Sequence, residues 1–164
     1  MSIFDVSRRI NKSYFIGFSG NWVPGDKNYT DNQLNTFNTL FARPPFGQTV
    51  SLNITNTLNL SPYFKYQPND FANIILRASF VSRESTEDGL FTPNMSPMRP
   101  LLNHLVDSKA KAVGNIYTIE TNLNFSKRWV ALLEFGFCEA GQYLKDTGKG
   151  KNVYYWALRS GYKF

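Results

Sequence analysis

The sequence predicts an all-β chain, folded as about six antiparallel meander strands of a transmembrane β-barrel. Three observations lead there. Segments along the chain alternate apolar and polar residues with period two, and their apolar rows are rich in aromatics. No apolar run approaches the ~18 residues that a membrane helix requires. The longest, near 74–81 and 129–137, are interrupted by Arg77 and Glu134. Short and long connections also alternate strictly, as in barrels with tight turns on one side and long loops on the other.

The first strand, 13–22, puts Tyr14, Ile16, Phe18 and Trp22 on one face and Phe15, Gly17, Ser19 and Asn21 on the other. The second, 59–67, sets Leu60, Phe64 and Tyr66 against Ser61, Tyr63 and Lys65, with Pro62 weakening it because proline cannot donate to a ladder. The third, 71–83, opposes Ala72, Ile74, Leu76, Ala78 and Phe80 to Asn73, Arg77, Ser79 and Arg83. The fourth, 115–126, opposes Tyr117, Ile119, Leu123 and Phe125 to Thr118, Glu120, Asn122 and Asn124. In the fifth, 129–139, Trp129, Ala131, Leu133, Phe135 and Phe137 face away from Val130, Leu132, Glu134 and Gly136. The sixth, 153–164, carries Tyr154, Trp156, Leu158, Tyr162 and Phe164 opposite Tyr155, Ala157, Arg159, Gly161 and Lys163.

Pro68, Asn69 and Asp70 alone join the second strand to the third, and Lys127 and Arg128 the fourth to the fifth. The long connections, 23–58, 84–114 and 140–152, are rich in Asn, Pro, Gly, Thr and Asp, as exposed loops are. The stretch 47–58 fits either a further short strand or a helical turn. No linker divides the chain, so residues 1–164 form one domain.

Lys65, Arg77, Glu120, Glu134, Arg159 and Lys163 all fall on the polar rows. A charge on a lipid-facing row near midplane costs about 2–4 kcal/mol for Arg or Lys, so a membrane barrel demands this segregation. A soluble sandwich would also keep charge off its core, and it is the loop asymmetry that favours the membrane. On the polar rows, Lys65, Arg77, Arg83, Arg159 and Lys163 outnumber Glu120 and Glu134. Such a bias attracts anions, and Arg holds carboxylates through two parallel hydrogen bonds. The alternative is that these charges pair across strands and only wet an interior.

Eighteen basic against twelve acidic residues give a net charge of +6, but no Lys/Arg run exceeds two residues, so no nucleic-acid partner is expected. Cys138 is the only cysteine, which excludes an internal disulfide and a cysteine metal cluster. His104 is the only histidine and lies in a loop, so no Ser-His-Asp constellation can be assembled. The run DTGKGK at 146–151 lacks the spacing of a phosphate-binding loop and reads as a solvated loop. Asp26, Asp31, Glu87 and Asp88 lack calcium-loop spacing. Neither catalysis nor a cofactor is expected.

Five segments in order carry a resemblance. NWVPGDK (21–27) looks like a strand end with a Gly-Asp pair, and TFNTLF (36–41) like a TFxPLF loop. NITNTLNLSP (53–62) is similar to an NxxDLHP region, with Ser61 where histidine is common. SRESTEDGLF (82–91) resembles WRESxxDGLY, with Ser82 replacing the aromatic, and EAGQYLKDTGKGKN (139–152) precedes a last strand ending in Phe. Together they resemble the C-terminal part of the alginate-export family of outer-membrane porins.

The resemblance implies a monomeric barrel in the cell outer membrane, surrounded by its lipid. It would pass an anionic polysaccharide or small anions through an electropositive constriction. Arg77 and Arg83 carry over as constriction or vestibule residues, with Lys65 and Arg159 behind them. Six strands fall short of the eight-strand minimum for closure. The chain is therefore expected to be the C-terminal piece of a longer barrel, with residues 1–12 ending a preceding strand and its turn. The first non-porin expectation is a soluble all-β carbohydrate-binding domain stacking sugars on Trp22, Trp129 and Trp156. The second is a structural barrel that does not conduct.

Overall fold

The computed structural model describes residues 1–28, 55–91, 97–99, 108–162 and 164. Asp31, His104, Lys163, the segment 36–41 and the stretch 47–54 lie outside the described residues. Ten elements follow in order: β1 (Ser2–Arg9), β2 (Tyr14–Val23), β3 (Thr57–Tyr66), β4 (Ala72–Arg83), β5 (Leu90–Phe91), β6 (Pro97–Arg99), β7 (Ala112–Asn124), β8 (Trp129–Ala140), α1 (Gln142–Asp146) and β9 (Val153–Tyr162). Seven strands form one antiparallel sheet in the order β1-β2-β3-β4-β7-β8-β9, and β5 pairs with β6 in a separate ribbon. The six expected strands are all present.

The seventh is β1, in a segment read from sequence only as a strand end and turn. Its residues alternate Ile3, Asp5, Ser7 and Arg9 against Phe4, Val6 and Arg8. The sheet is open: β1 and β9 are its edges and do not pair with each other. Among the described residues no helix is long and apolar enough to cross a membrane.

Local chemistry sets the three tight turns on one side of the sheet. The Asn11 side-chain oxygen accepts from the backbone N–H groups of Ser13 and Tyr14, and that of Asn69 accepts from Phe71 and Ala72. Ser126 Oγ does the same for Arg128 and Trp129. Each short polar side chain imitates a backbone turn and reverses the chain within a few residues. Pro62 pairs in register with Phe18 of β2, whereas on the β4 side the ladder passes from Leu60–Phe80 to Tyr63–Arg77. Ser61 Oγ and Ser79 Oγ, 2.8 Å apart, bridge that gap through side chains.

Burial is inverted relative to a soluble sheet. Trp156 is 73% and Tyr154 70% exposed on the apolar row, while Ser61 is 0% and Glu134 3% exposed on the polar row. Register lines up Ile16, Phe64, Leu76, Ile119, Phe135 and Trp156 across six strands, and among the described residues nothing packs over them as a second layer. Arg8 shares this face near the short-turn end of β1. On the opposite face Tyr63 lies over Gly17 and Tyr155 over Gly136. A Cβ at either glycine would sit 2.2 Å from a ring carbon, so only glycine lets these rings lie flat across a neighbouring strand.

The apolar core is small and sits at the long-loop end. Val81, Leu90, Val113 and Tyr143 cluster there, with Ala110, Ile116 and Leu144 against them. A bulge creates the room: Val81 pairs with Gly114 but Ser82 with Ala112, so Val113 is the extra residue and joins the cluster.

Candidate functional site

The polar face is organised in rows fixed by register. One row crosses the sheet through Ser7, Gly17, Tyr63, Arg77, Thr118, Gly136 and Tyr155. The next row toward the short turns holds Arg9, Phe15, Lys65, Ile75, Glu120, Glu134 and Ala157. Arg159 pairs with Leu132 one row further on.

Arg77 is the hub. Its guanidinium donates to Ser19 Oγ at 2.7 Å and lies 4.8 Å from the centre of the Tyr63 ring. Tyr63 in turn donates its hydroxyl to Asp5 Oδ1 at 2.8 Å, across β2 and the glycine that makes room for the ring. Asp5 and Glu120 both act on Arg77 electrostatically, one on each side. Hydroxyls continue the polar band, since Ser19 donates to the Ser61 carbonyl at 3.3 Å and Ser61 Oγ meets Asn59 Oδ1 at 3.1 Å.

Lys65 and Arg9 flank the Phe15 ring, their charges 5.2 and 5.3 Å from its centre. Glu120 and Glu134 are direct cross-strand partners, an arrangement that is unfavourable for like charges unless other groups hold them. Asn122 donates to Glu120 at 2.7 Å, and Tyr155 donates to Glu134 at 2.8 Å. Arg159 is exposed on β9.

The face therefore carries cations toward β1–β4, carboxylates on β7 and β8, and a further cation on β9. It is less one-sidedly basic than the sequence count implies, because β1 adds Asp5 against Arg9 and Arg83 is enclosed by the loops at the end of the sheet. Period-two alternation in residues 2–9 carried the signal for both. Tyr63 and Tyr155 were also missed as organisers. Their signal is a tyrosine paired in register with a glycine, which requires knowing the strand partner.

Arg83 lies on the same polar face of β4 but in a different setting. It is 4% exposed and stacks over the Tyr143 ring at 3.9 Å. Its guanidinium donates to the carbonyls of Asp88 at 2.9 Å, Ala110 at 2.9 and 3.1 Å, Thr86 at 3.4 Å, and Ser108. It is the centre of a cap over the long-loop end of the sheet. Asn56, at a positive φ of 57°, supplies the second knot. Its side chain accepts from Ser85 N–H and donates to the carbonyls of Ser85, Asp88 and Gly89. Asp26 N–H donates to Asp88 and Gly25 N–H to Glu84, while Lys27 pairs with Glu84 at 3.4 Å. The expected coil at 140–152 contains α1 and belongs to this cap.

Two hydrogen-bonded carboxylates sit at the rim of the cap. Lys109, bonded to Glu87 at 2.9 and 3.0 Å, holds that carboxyl below its ordinary range, and hydrogen bonds from Ser108 and Gln142 do the same for Asp146. Groups depressed in the folded state stabilise it above their unfolded value and lose that effect as pH falls through the folded one. Hydrogen-exchange protection, relative to the intrinsic rate at each pH, is therefore expected to fall in residues 84–91 and 142–147 below pH about 4, before the strand ladder responds. Equal protection at acidic and neutral pH would contradict this.

Residues 20–157 match the family model described as alginate export. Comparisons with curated proteins and with solved structures give no match.

Proposed function

This chain belongs to the alginate export family, and on that footing we propose that its polar face lines an aqueous passage for anionic polysaccharide or small anions. Family membership implies an outer-membrane protein of alginate export. The observation that carries the finer reading is the inverted burial. Aromatic and aliphatic rows are exposed, whereas charges and hydroxyls are gathered on the other face. Hydrocarbon solvates the first arrangement at little cost, and water or a polar solute suits the second.

Transport on this reading is passive, with no covalent chemistry. Arg77, Lys65 and Arg159 lower the electrostatic barrier for a carboxylate entering the lumen. Asp5, Glu120 and Glu134 keep binding at each step weak enough for release, as conduction requires. The Tyr63 and Phe15 rings offer flat apolar surface beside those cations, which suits a sugar ring bearing a carboxylate. Arg83 acts at one remove by holding the loop-side mouth in shape. On this reading the exposed Trp22, Trp129 and Trp156, which lie on the apolar face, contact lipid instead of stacking on sugars. The complete barrel is a monomer in contact with outer-membrane lipid.

The test is ion selectivity of the protein purified from outer membranes and reconstituted in planar bilayers. Replacing Arg77 and Lys65 together by serine is expected to lower the anion-to-cation permeability ratio about two- to fivefold at low salt, and less at high salt. An unchanged reversal potential under a salt gradient would remove both residues from the path.

A further inference from the structure

Side chains in a strand ordinarily stand up from the sheet. Tyr63 and Tyr155 do not. The outer end of the Tyr63 ring lies on Gly17, where an added Cβ would come within 2.2 Å of Cζ and 2.4 Å of the hydroxyl oxygen. The outer end of the Tyr155 ring lies on Gly136 in the same way, at 2.2 and 2.5 Å. A carboxylate then ties each ring down: Tyr63 donates to Asp5 at 2.8 Å, and Tyr155 donates to Glu134 at 2.8 Å. Both rings lean toward the preceding strand of the sheet, β3 onto β2 and β9 onto β8.

Both glycines belong to the one row that carries Arg77 and Thr118, so the two rings are folded down at a single level of the sheet. Neither glycine serves a turn, since each is paired in mid-strand with a neighbour on both sides. Glycine weakens a strand interior, and what it permits in return is close approach of another group to the backbone. At the first site the layering continues: the Arg77 guanidinium lies over the Tyr63 ring at 4.8 Å. The height of that ring above Gly17 therefore also fixes how far the Arg77 charge stands from the wall.

We propose that Tyr63 and Tyr155 determine the clearance of the passage at the level of Arg77. Latched flat on glycine, they keep their bulk on the wall and leave room for a solute; off the glycine, they stand into its path. This role rests on the reading that the polar face borders an aqueous passage, but not on the passage being selective for anions.

The test uses protein purified from outer membranes and reconstituted in planar bilayers. Gly17→Ala and Gly136→Ala are each expected to lower single-channel conductance about twofold and to shrink the largest poly(ethylene glycol) that enters, because the added methyl lifts the ring off the wall. Combining Gly17→Ala with Tyr63→Ala, or Gly136→Ala with Tyr155→Ala, is expected to restore at least the parent conductance, since no ring remains to be displaced. The control Gly161→Ala, whose Cβ would find Val130 Cγ2 nearest at 3.3 Å and no ring, is expected to conduct as the parent does. Parent-like conductance in both single glycine variants would overturn the proposal, and so would a loss that persists once the ring is removed. Should alanine at either glycine prevent insertion, Tyr63→Phe decides: it adds no bulk, loses the Asp5 bond, and is expected to make the open-channel current noisier. Parent-like noise would then overturn the latch. A parent that opens no channel would overturn the passage and this role together. An unchanged reversal potential in the Arg77 and Lys65 variant beside a halved conductance in Gly17→Ala would support the tyrosines and reject only the anion path.

Discussion

Replacing Arg83 by alanine is expected to unfold the loop-side cap while leaving the seven-stranded ladder in place. The guanidinium satisfies carbonyls from its own loop, Thr86 and Asp88, and from the segment entering β7, Ser108 and Ala110. It also covers Tyr143 of α1. Truncation leaves several buried carbonyls without donors, at about 1–3 kcal/mol each, so the cap should lose at least about 3 kcal/mol before it opens to water instead. Arg83→Lys should fail almost as badly, because a point ammonium cannot fork toward two separate segments. Hydrogen exchange would show protection lost in residues 84–91, 108–111 and 142–147 but retained in β3, β4, β7 and β8. Parent-like protection of the cap in Arg83→Ala would show that the apolar cluster holds it unaided.

Phe135→Lys is expected to destabilise the membrane-inserted protein by about 2–4 kcal/mol, because residue 135 sits mid-strand on the exposed apolar row. The informative comparison is Asn122→Lys, on the polar face beside Glu120, which should cost less than about 1 kcal/mol. Both introduce the same charge into neighbouring strands, so only the medium each meets differs. Urea unfolding of the lipid-reconstituted protein measures the pair. Equal costs would mean that hydrocarbon does not cover the aromatic rows, and the outer-membrane passage would fall with them.

Much of the architecture was legible because period two assigns each strand residue to a face without reference to any partner. Arg77 and Glu120 were placed together on the polar side, and Phe135 and Trp156 together on the other, from spacing alone. The tight turns were equally readable, since Asn69 bonds to backbone two and three residues away. β1 was read only as the end of a preceding strand and its turn, and Arg8 interrupts the apolar row that the rest of its alternation sets out. The register with β2 makes that segment a full strand of the sheet, with Arg8 paired to Ile16.

The two arginines of β4 mark where sequence stops deciding. Arg77 and Arg83 share one strand and one face, so alternation treats them as equivalents. Alternation, turn chemistry and composition are local, and by themselves they determined an antiparallel sheet with one apolar and one ionic side. Which cation stays on the open polar face and which is enclosed depends on contacts from distant segments. Ser19 and Tyr63 reach Arg77 through strand pairing, whereas the carbonyls of Ser108 and Ala110 and the ring of Tyr143 close over Arg83. Tertiary structure alone decided that difference, because desolvation of a charge is set by what packs around it and not by the residues beside it in the chain.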